Sequence, residues 1–144
     1  SSSMPLVSPM VNIDGVPYLD GGVADSVPIR HALKSGNDKI IVVLTRNPGY
    51  RKKPVSKGTA KLYRKAYKSY PKMAACAVHR NRMYNRTMEL VEKLEAEGRI
   101  YVIRPMVPTV SRLERDYDKL MSFYEHGYAL MKKEYASLLR YMEE

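Results

Sequence analysis

The sequence predicts an α/β fold followed by a helical C-terminal part. Three observations carry this. Lys39-Ile40-Ile41-Val42-Val43-Leu44-Thr45 is a short, continuous β-branched run, the pattern of a strand buried on both faces. A helix pattern over 28–35 precedes it and a strand pattern precedes that; strand, helix and strand within about 35 residues form an α/β unit. Past residue 110, apolar side chains recur at spacings of three and four, the period of a helix face.

Taken in order, Val11-Asn12-Ile13 and Val16-Pro17-Tyr18-Leu19 flank Asp14-Gly15, which reads as a hairpin turn between short strands. Asp20-Gly21-Gly22 follows. The glycines allow a tight turn and leave room beside the carboxylate for a second backbone or a substrate. Asp20 thus falls at a strand end next to a loop, where catalytic carboxylates are commonly presented, although a plain turn aspartate has the same signature. Pro28 suits the first turn of a helix that Gly36 closes. The strand 39–45 is expected to be buried, with the hairpin beside it.

Residues 46–58 hold Pro48, Gly49, Pro54 and Gly58 and read as a mobile loop. A helix is expected over 59–69, ended by Pro71, and a longer one over 71–97, stopped by Gly98. Residues 99–105 read as a strand. Ser111-Arg112-Leu113-Glu114 has the form of a capping box opening a further helix. In it Leu113, Tyr117, Leu120 and Tyr124 would make one core-facing stripe. Gly127 would break or kink it, and Met131, Tyr135, Leu138 and Met142 would repeat the spacing in a last helix.

Composition narrows the class. The 144 residues, 44% hydrophobic and 28% charged, suffice for a core of ordinary soluble type. The single cysteine, Cys76, excludes an internal disulfide framework, fits a reducing, cytoplasmic setting, and reads as a small buried apolar residue. No apolar run reaches the roughly 18 residues of a membrane-spanning helix. His31, His79 and His126 lie far apart with no cysteine or carboxylate at zinc spacing, so neither a metal nor another cofactor is expected.

The net charge of +10 is concentrated. Residues 39–86 carry 14 basic and no acidic residues, whereas 87–144 carry nine basic and 11 acidic. Within the block, Tyr63, Tyr67 and Tyr70 share one helix face and Lys61, Arg64, Lys65 and Lys68 spread around the others. Three readings fit: a peripheral surface for anionic membrane with the rings at head-group level, a nucleic-acid surface, or tyrosines packed inward under solvated lysines.

Ser2-Ser3-Met4-Pro5, Tyr18-Leu19-Asp20-Gly21-Gly22-Val23, Pro28-Ile29, Ala32 and Ile40-Ile41-Val42-Val43-Leu44 together resemble the patatin-like phospholipase family. The resemblance implies a three-layer α/β core and a lipid acyl hydrolase acting on lipid esters through a serine–aspartate dyad, with Asp20 as the dyad aspartate and Gly21 and Gly22 as its loop. It also favours membrane over nucleic acid as the partner of the basic block. The family's Gly-x-Ser-x-Gly nucleophile motif is not formed by any of the eight glycines. Residues 1–104 are therefore expected to be the C-terminal part of such a catalytic domain, with a basic helical segment at 46–98. An edge left by missing strands would be covered by a second copy of the chain. Residues 105–144 are expected to be a helical extension. Pro105, Ser111 to Asp116 and Phe123 to Tyr128 resemble the extension of bacterial patatin-like proteins, which implies no chemistry. Asp25 is a second carboxylate near the turn, read as a cap before Pro28. Ser1, Ser2 and Ser3 lack any elbow and read as backbone turn or helix-start residues.

Overall fold

The structure, a computed structural model, describes residues 3–111 and 113–143, so Ser1, Ser2, Arg112 and Glu144 lie outside the described residues. The fold is mixed α/β: four α-helices, one short 3-10 turn and four short strands in two separate two-stranded sheets among the described residues. The chain divides into two units. The first runs to Pro28 and resumes over Arg51–Leu90; the second takes Ile29–Tyr50 and the described residues from Val91 on.

In the first unit, β1 (Val11–Ile13) and β2 (Val16–Tyr18) pair antiparallel, with Ile13 opposite Val16. Asp14 and Gly15 both have positive φ, at 52° and 79°, as a two-residue hairpin with the right twist demands. The hairpin is a sheet of its own. Ser56 caps the helix Lys57–Ala66 by accepting from the Thr59 amide at 3.1 Å. Ala60, Tyr63 and Tyr67 line its inner side at spacings of three and four. They meet the long helix Pro71–Ala96, whose first turns offer Ala74 and Ala77. Val23, Tyr63, Tyr67, Ala74 and Ala77 form the core, with Leu19, Val55 and Met73 packed against it. Tyr67 also reaches through the core with its hydroxyl, which accepts from the Leu6 amide at 2.9 Å. Leu6 sits at φ 67°, a conformation unfavourable for a branched side chain, so this bond helps hold a strained turn.

The loop ahead of this helix is pinned rather than mobile over Lys52 and Lys53. Asn81 and Asn85, one helical turn apart, supply the amides. Asn85 donates to the Lys52 carbonyl and accepts from its amide, and Asn81 donates to the Lys53 carbonyl. Cys76 is exposed, contrary to expectation, because Ala74 and Ala77 occupy the inward positions around it.

In the second unit, the helix Ile29–Lys34 leads to β3 (Ile41–Val43), which pairs parallel with β4 (Tyr101–Ile103). The strand 39–45 is not buried on both faces. Ile40 and Val42 are buried, while Ile41 is exposed and Val43 is 70% exposed. Side chains alternate across a strand, and in a two-stranded sheet only one face of this one is covered. Ile29, Val91, Leu94, Ile100 and Pro105 are buried in this unit as well. Gly98, at φ 68°, ends the long helix where expected.

The last helix differs most from expectation. It begins at Tyr117, not Ser111, and runs unbroken through Gly127 to Glu143. The capping box does not form: Ser111 Oγ accepts from the Leu113 amide, and Glu114 Oε1 turns forward to the Arg115 and Asp116 amides. Asp116 does the capping instead, accepting from the amides of Asp118 and Lys119. The expected stripe is uncovered; Leu113 is 87% exposed, and Tyr117, Leu120 and Tyr124 are exposed as well. The helix half-buries Phe123, His126, Leu130, Glu134 and Tyr141; of the expected second stripe Met131 and Leu138 are half-buried too, while Tyr135 and Met142 are exposed. Tyr141 Oη bonds the amide of Ile40 and the carbonyls of Ile40 and Arg99, and Tyr101 donates to Glu134 at 2.7 Å.

Two predictions follow from this packing. Tyr67→Phe removes only the bond to Leu6 and should cost about 1 kcal/mol, whereas Tyr67→Ala opens the core and should cost about 3 kcal/mol or more. Urea titration of both variants separates the two contributions, and equal losses would mean that the ring contributes nothing beyond its hydroxyl. The Asp116 carboxyl is held below the usual carboxylate range, chiefly by the hydrogen bond from the Lys119 amide. Its contribution is therefore present above that range and lost as pH falls through the depressed value. Acidification should lower the melting temperature of the wild-type chain more than that of Asp116→Asn, and identical acid profiles would remove the carboxylate from the cap.

Candidate functional site

The Asp20 turn is built from the end of β2 forward. The Asp20 amide donates to the Ser3 carbonyl at 2.9 Å, which fixes the residue against the neighbouring N-terminal segment. Its carbonyl accepts from Val23 at 3.0 Å, opening the 3-10 turn Gly21–Val23. Its carboxylate Oδ1 accepts from the Gly22 amide at 2.7 Å and so caps that turn. Val23 then anchors the turn in the core beside Tyr63 and Tyr67. Asp20 is half-buried, and among the described residues its Oδ2 has no hydrogen-bond partner.

The two glycines have different reasons. Neither has positive φ, so left-handed backbone is not what they supply. A Cβ on Gly22 would lie 3.2 Å from Asp20 Oδ1, tighter than ordinary contact, while one on Gly21 would meet nothing within 4 Å. Gly22 permits the close approach of the carboxylate to its own turn; Gly21 leaves the space beside it open. Downstream, Ser26 donates to the Gly22 carbonyl, and Asp25 accepts from the Val27 amide in a local turn ahead of Pro28; among the described residues it bonds no amide of the helix Ile29–Lys34 and so is not the cap that the sequence suggested.

His31 is exposed and belongs to the second unit, and His126 accepts from the Met106 amide. In the second unit a groove of about 720 Å³ is lined by Val107, Ser111, Glu114, Asp116, Phe123 and His126, among others. Among the described residues no group of three or more His, Cys, Asp or Glu side chains is placed to hold a metal ion.

The basic block divides by face. Lys61, Arg64, Lys65 and Lys68 are all exposed, and none is in an ion pair among the described residues. Tyr63 and Tyr67, expected with them at a surface, are each only 9% exposed and belong to the core. The inward period of Ala60, Tyr63 and Tyr67 decides this, since these are the apolar positions that face the long helix. Tyr70 alone of the three rings is exposed. Among the described residues no helix is long and apolar enough to cross a membrane.

With small sheets and four α-helices among the described residues, the chain is a mixed α/β protein. A family model described as a domain of unknown function, DUF6363, matches residues 70–143, just over half the chain, and the chain belongs to that family. The match covers the long helix, β4 and the last helix, and does not reach the Asp20 turn or the basic helix. No curated protein matches the chain.

The turn yields a prediction of its own. Asp20→Asn keeps an oxygen that can accept from Gly22 and should melt close to wild type, while Asp20→Ala loses the cap and should cost about 1 kcal/mol. Equal melting of both variants would show that the cap contributes nothing.

Proposed function

We propose that Asp20 is the general base of a serine–aspartate lipid acyl hydrolase, of the patatin-like type that the sequence resembles. One observation supports the reading: a half-buried carboxylate, fixed at a strand end by the Ser3 and Gly22 bonds, with one oxygen that has no hydrogen-bond partner among the described residues, beside an open glycine. A base must be held at a constant distance from the proton that it takes, and this turn is over-determined in that sense. In the reaction Asp20 accepts the serine hydroxyl proton as Oγ bonds to the ester carbonyl carbon. The proton passes to the departing alcohol as the ester C–O bond breaks. Water then attacks the acyl-serine, giving its proton to Asp20, and the serine recovers that proton as the carboxylic acid leaves.

On this reading residues 1–104 belong to a patatin-like core and 105–144 to a helical extension. The reading requires a nucleophile from a further segment, because no Gly-x-Ser-x-Gly occurs in the 144 residues. The 144-residue chain alone is therefore expected to be inert. The test uses the complete gene product and a phospholipid or nitrophenyl ester. Asp20→Asn should lower turnover by about a thousandfold or more without changing the melting temperature. Undiminished turnover in that variant, or no ester hydrolysis by the wild-type product, overturns the proposal.

A further inference from the structure

From Lys39 to Met88 the chain contains no carboxylate side chain. In the first unit this leaves an exposed cationic surface on the helix Lys57–Ala66 and the segment after it. Lys57, Lys61 and Lys65 stand one turn apart on that helix, and Arg64, Lys68 and Lys72 continue the exposure. Like charges four residues apart work against helix formation, and nothing acidic nearby in sequence relieves them. The helix forms because its other face is buried: Tyr63 and Tyr67 hold it to the body. The repulsion on the outer face is therefore retained within the fold, and an external anionic surface would relieve it.

We infer that this face docks on an anionic phospholipid surface. Two features favour lipid over nucleic acid. The rings of Tyr63 and Tyr67 are turned into the core, which removes them as stacking platforms for bases. Leu62, 50% exposed among Lys61, Arg64 and Lys65, and the exposed Tyr70 give the cationic face apolar points suited to the head-group boundary. Docking is peripheral, with the cations at phosphate level and no helix crossing. It goes beyond the hydrolase reading and needs neither Asp20 nor a nucleophile. The two meet at Val23, next to Gly22, which packs in the same cluster as Tyr63 and Tyr67 and so ties the Asp20 turn to the docked helix.

The experiment is co-sedimentation of the chain with vesicles of phosphatidylcholine alone and of phosphatidylcholine mixed with phosphatidylserine. Binding is expected only to the mixed vesicles, and should weaken as salt shortens the screening length from about 10 Å at 0.1 M to about 3 Å at 1 M. Exchange of Lys61, Arg64, Lys65 and Lys68 for glutamate should lower partitioning by about a hundredfold or more, given what each cation contributes at an anionic leaflet. Lys61→Gln with Lys65→Gln, a milder pair, should give a smaller loss and guards against misfolding of the quadruple variant, which a thermal melt checks. Asp20→Asn should bind as wild type, so failure of the hydrolase reading leaves this result intact. Binding to neutral vesicles, an equal loss on exchanging Lys132 and Lys133 of the second unit for glutamate, or tighter binding to duplex or single-stranded nucleic acid than to mixed vesicles would each overturn the inference.

Discussion

The fold of the first unit depends on burying two tyrosines from a helix that is otherwise almost wholly polar and cationic. The segment 57–68 has little else to hold it: Ala60 contributes one methyl, and lysines or arginines occupy most of the remaining positions. Burying a large aromatic ring withdraws far more apolar surface than burying an alanine methyl does, and Tyr63 and Tyr67 supply nearly all the apolar area on the inner face. Ala74 and Ala77 make the arrangement workable. Their small side chains let the long helix approach closely enough for the rings to fill the gap. Because Val23 closes the same cluster, the position of the Asp20 turn depends on this packing too. A weakness in the tyrosine core would therefore appear as disorder of the candidate site before any residue of the site itself was altered.

The second unit is organised differently. Its last helix buries no residue fully and is held largely through hydroxyls at its C-terminal half. Tyr141 bonds the backbone at the start of β3 and at the end of the Gly98 turn, and Tyr101 reaches Glu134 from β4. Lys39 lies 4.7 Å over the Tyr141 ring, and the Tyr101 and Tyr141 rings tilt together at 5.6 Å. Arg104, largely covered, pairs with Glu95. This pair, with its arginine largely covered, contributes more than the exposed Lys93–Glu97 and Lys119–Asp116 pairs, which water screens.

Features that depend on a few adjacent residues were legible in the sequence. Asp14-Gly15 gave the hairpin, and Pro71 and Gly98 bound the long helix almost at the expected residues, whereas the Ser56 cap, which was not anticipated, begins the basic helix two residues before the expected start. The position of Asp20 at a strand end was legible for the same reason, since strand, carboxylate and glycines are contiguous. What failed required knowing the neighbour. The β-branched run 39–45 has the composition of a doubly covered strand, yet composition cannot say how many strands join the sheet. Ser111 and Glu114 have the right spacing for a capping box, but Asp116, two residues later, competes for the same role. It accepts from two amides at once, and the helix starts there.

The orientation of the tyrosines shows the limit most clearly. Interleaved lysines and rings at spacings of three and four give one periodic pattern, and a helix can present either stripe outward. Two facts outside the helix break the symmetry: the alanines of the facing helix, and the Leu6 amide that needs an acceptor at the depth of the Tyr67 hydroxyl. The alanines lie on the next helix and Leu6 lies 61 residues from Tyr67, and neither is visible from the periodicity of 57–68 itself. Once the rings are inside, the cations can no longer share a surface with them, and the outer face becomes one of charge with only Leu62 and Tyr70 as apolar points. Its chemistry is thereby reduced to attraction between exposed charges, which depends on salt and on the charge of the partner far more than on the partner's shape.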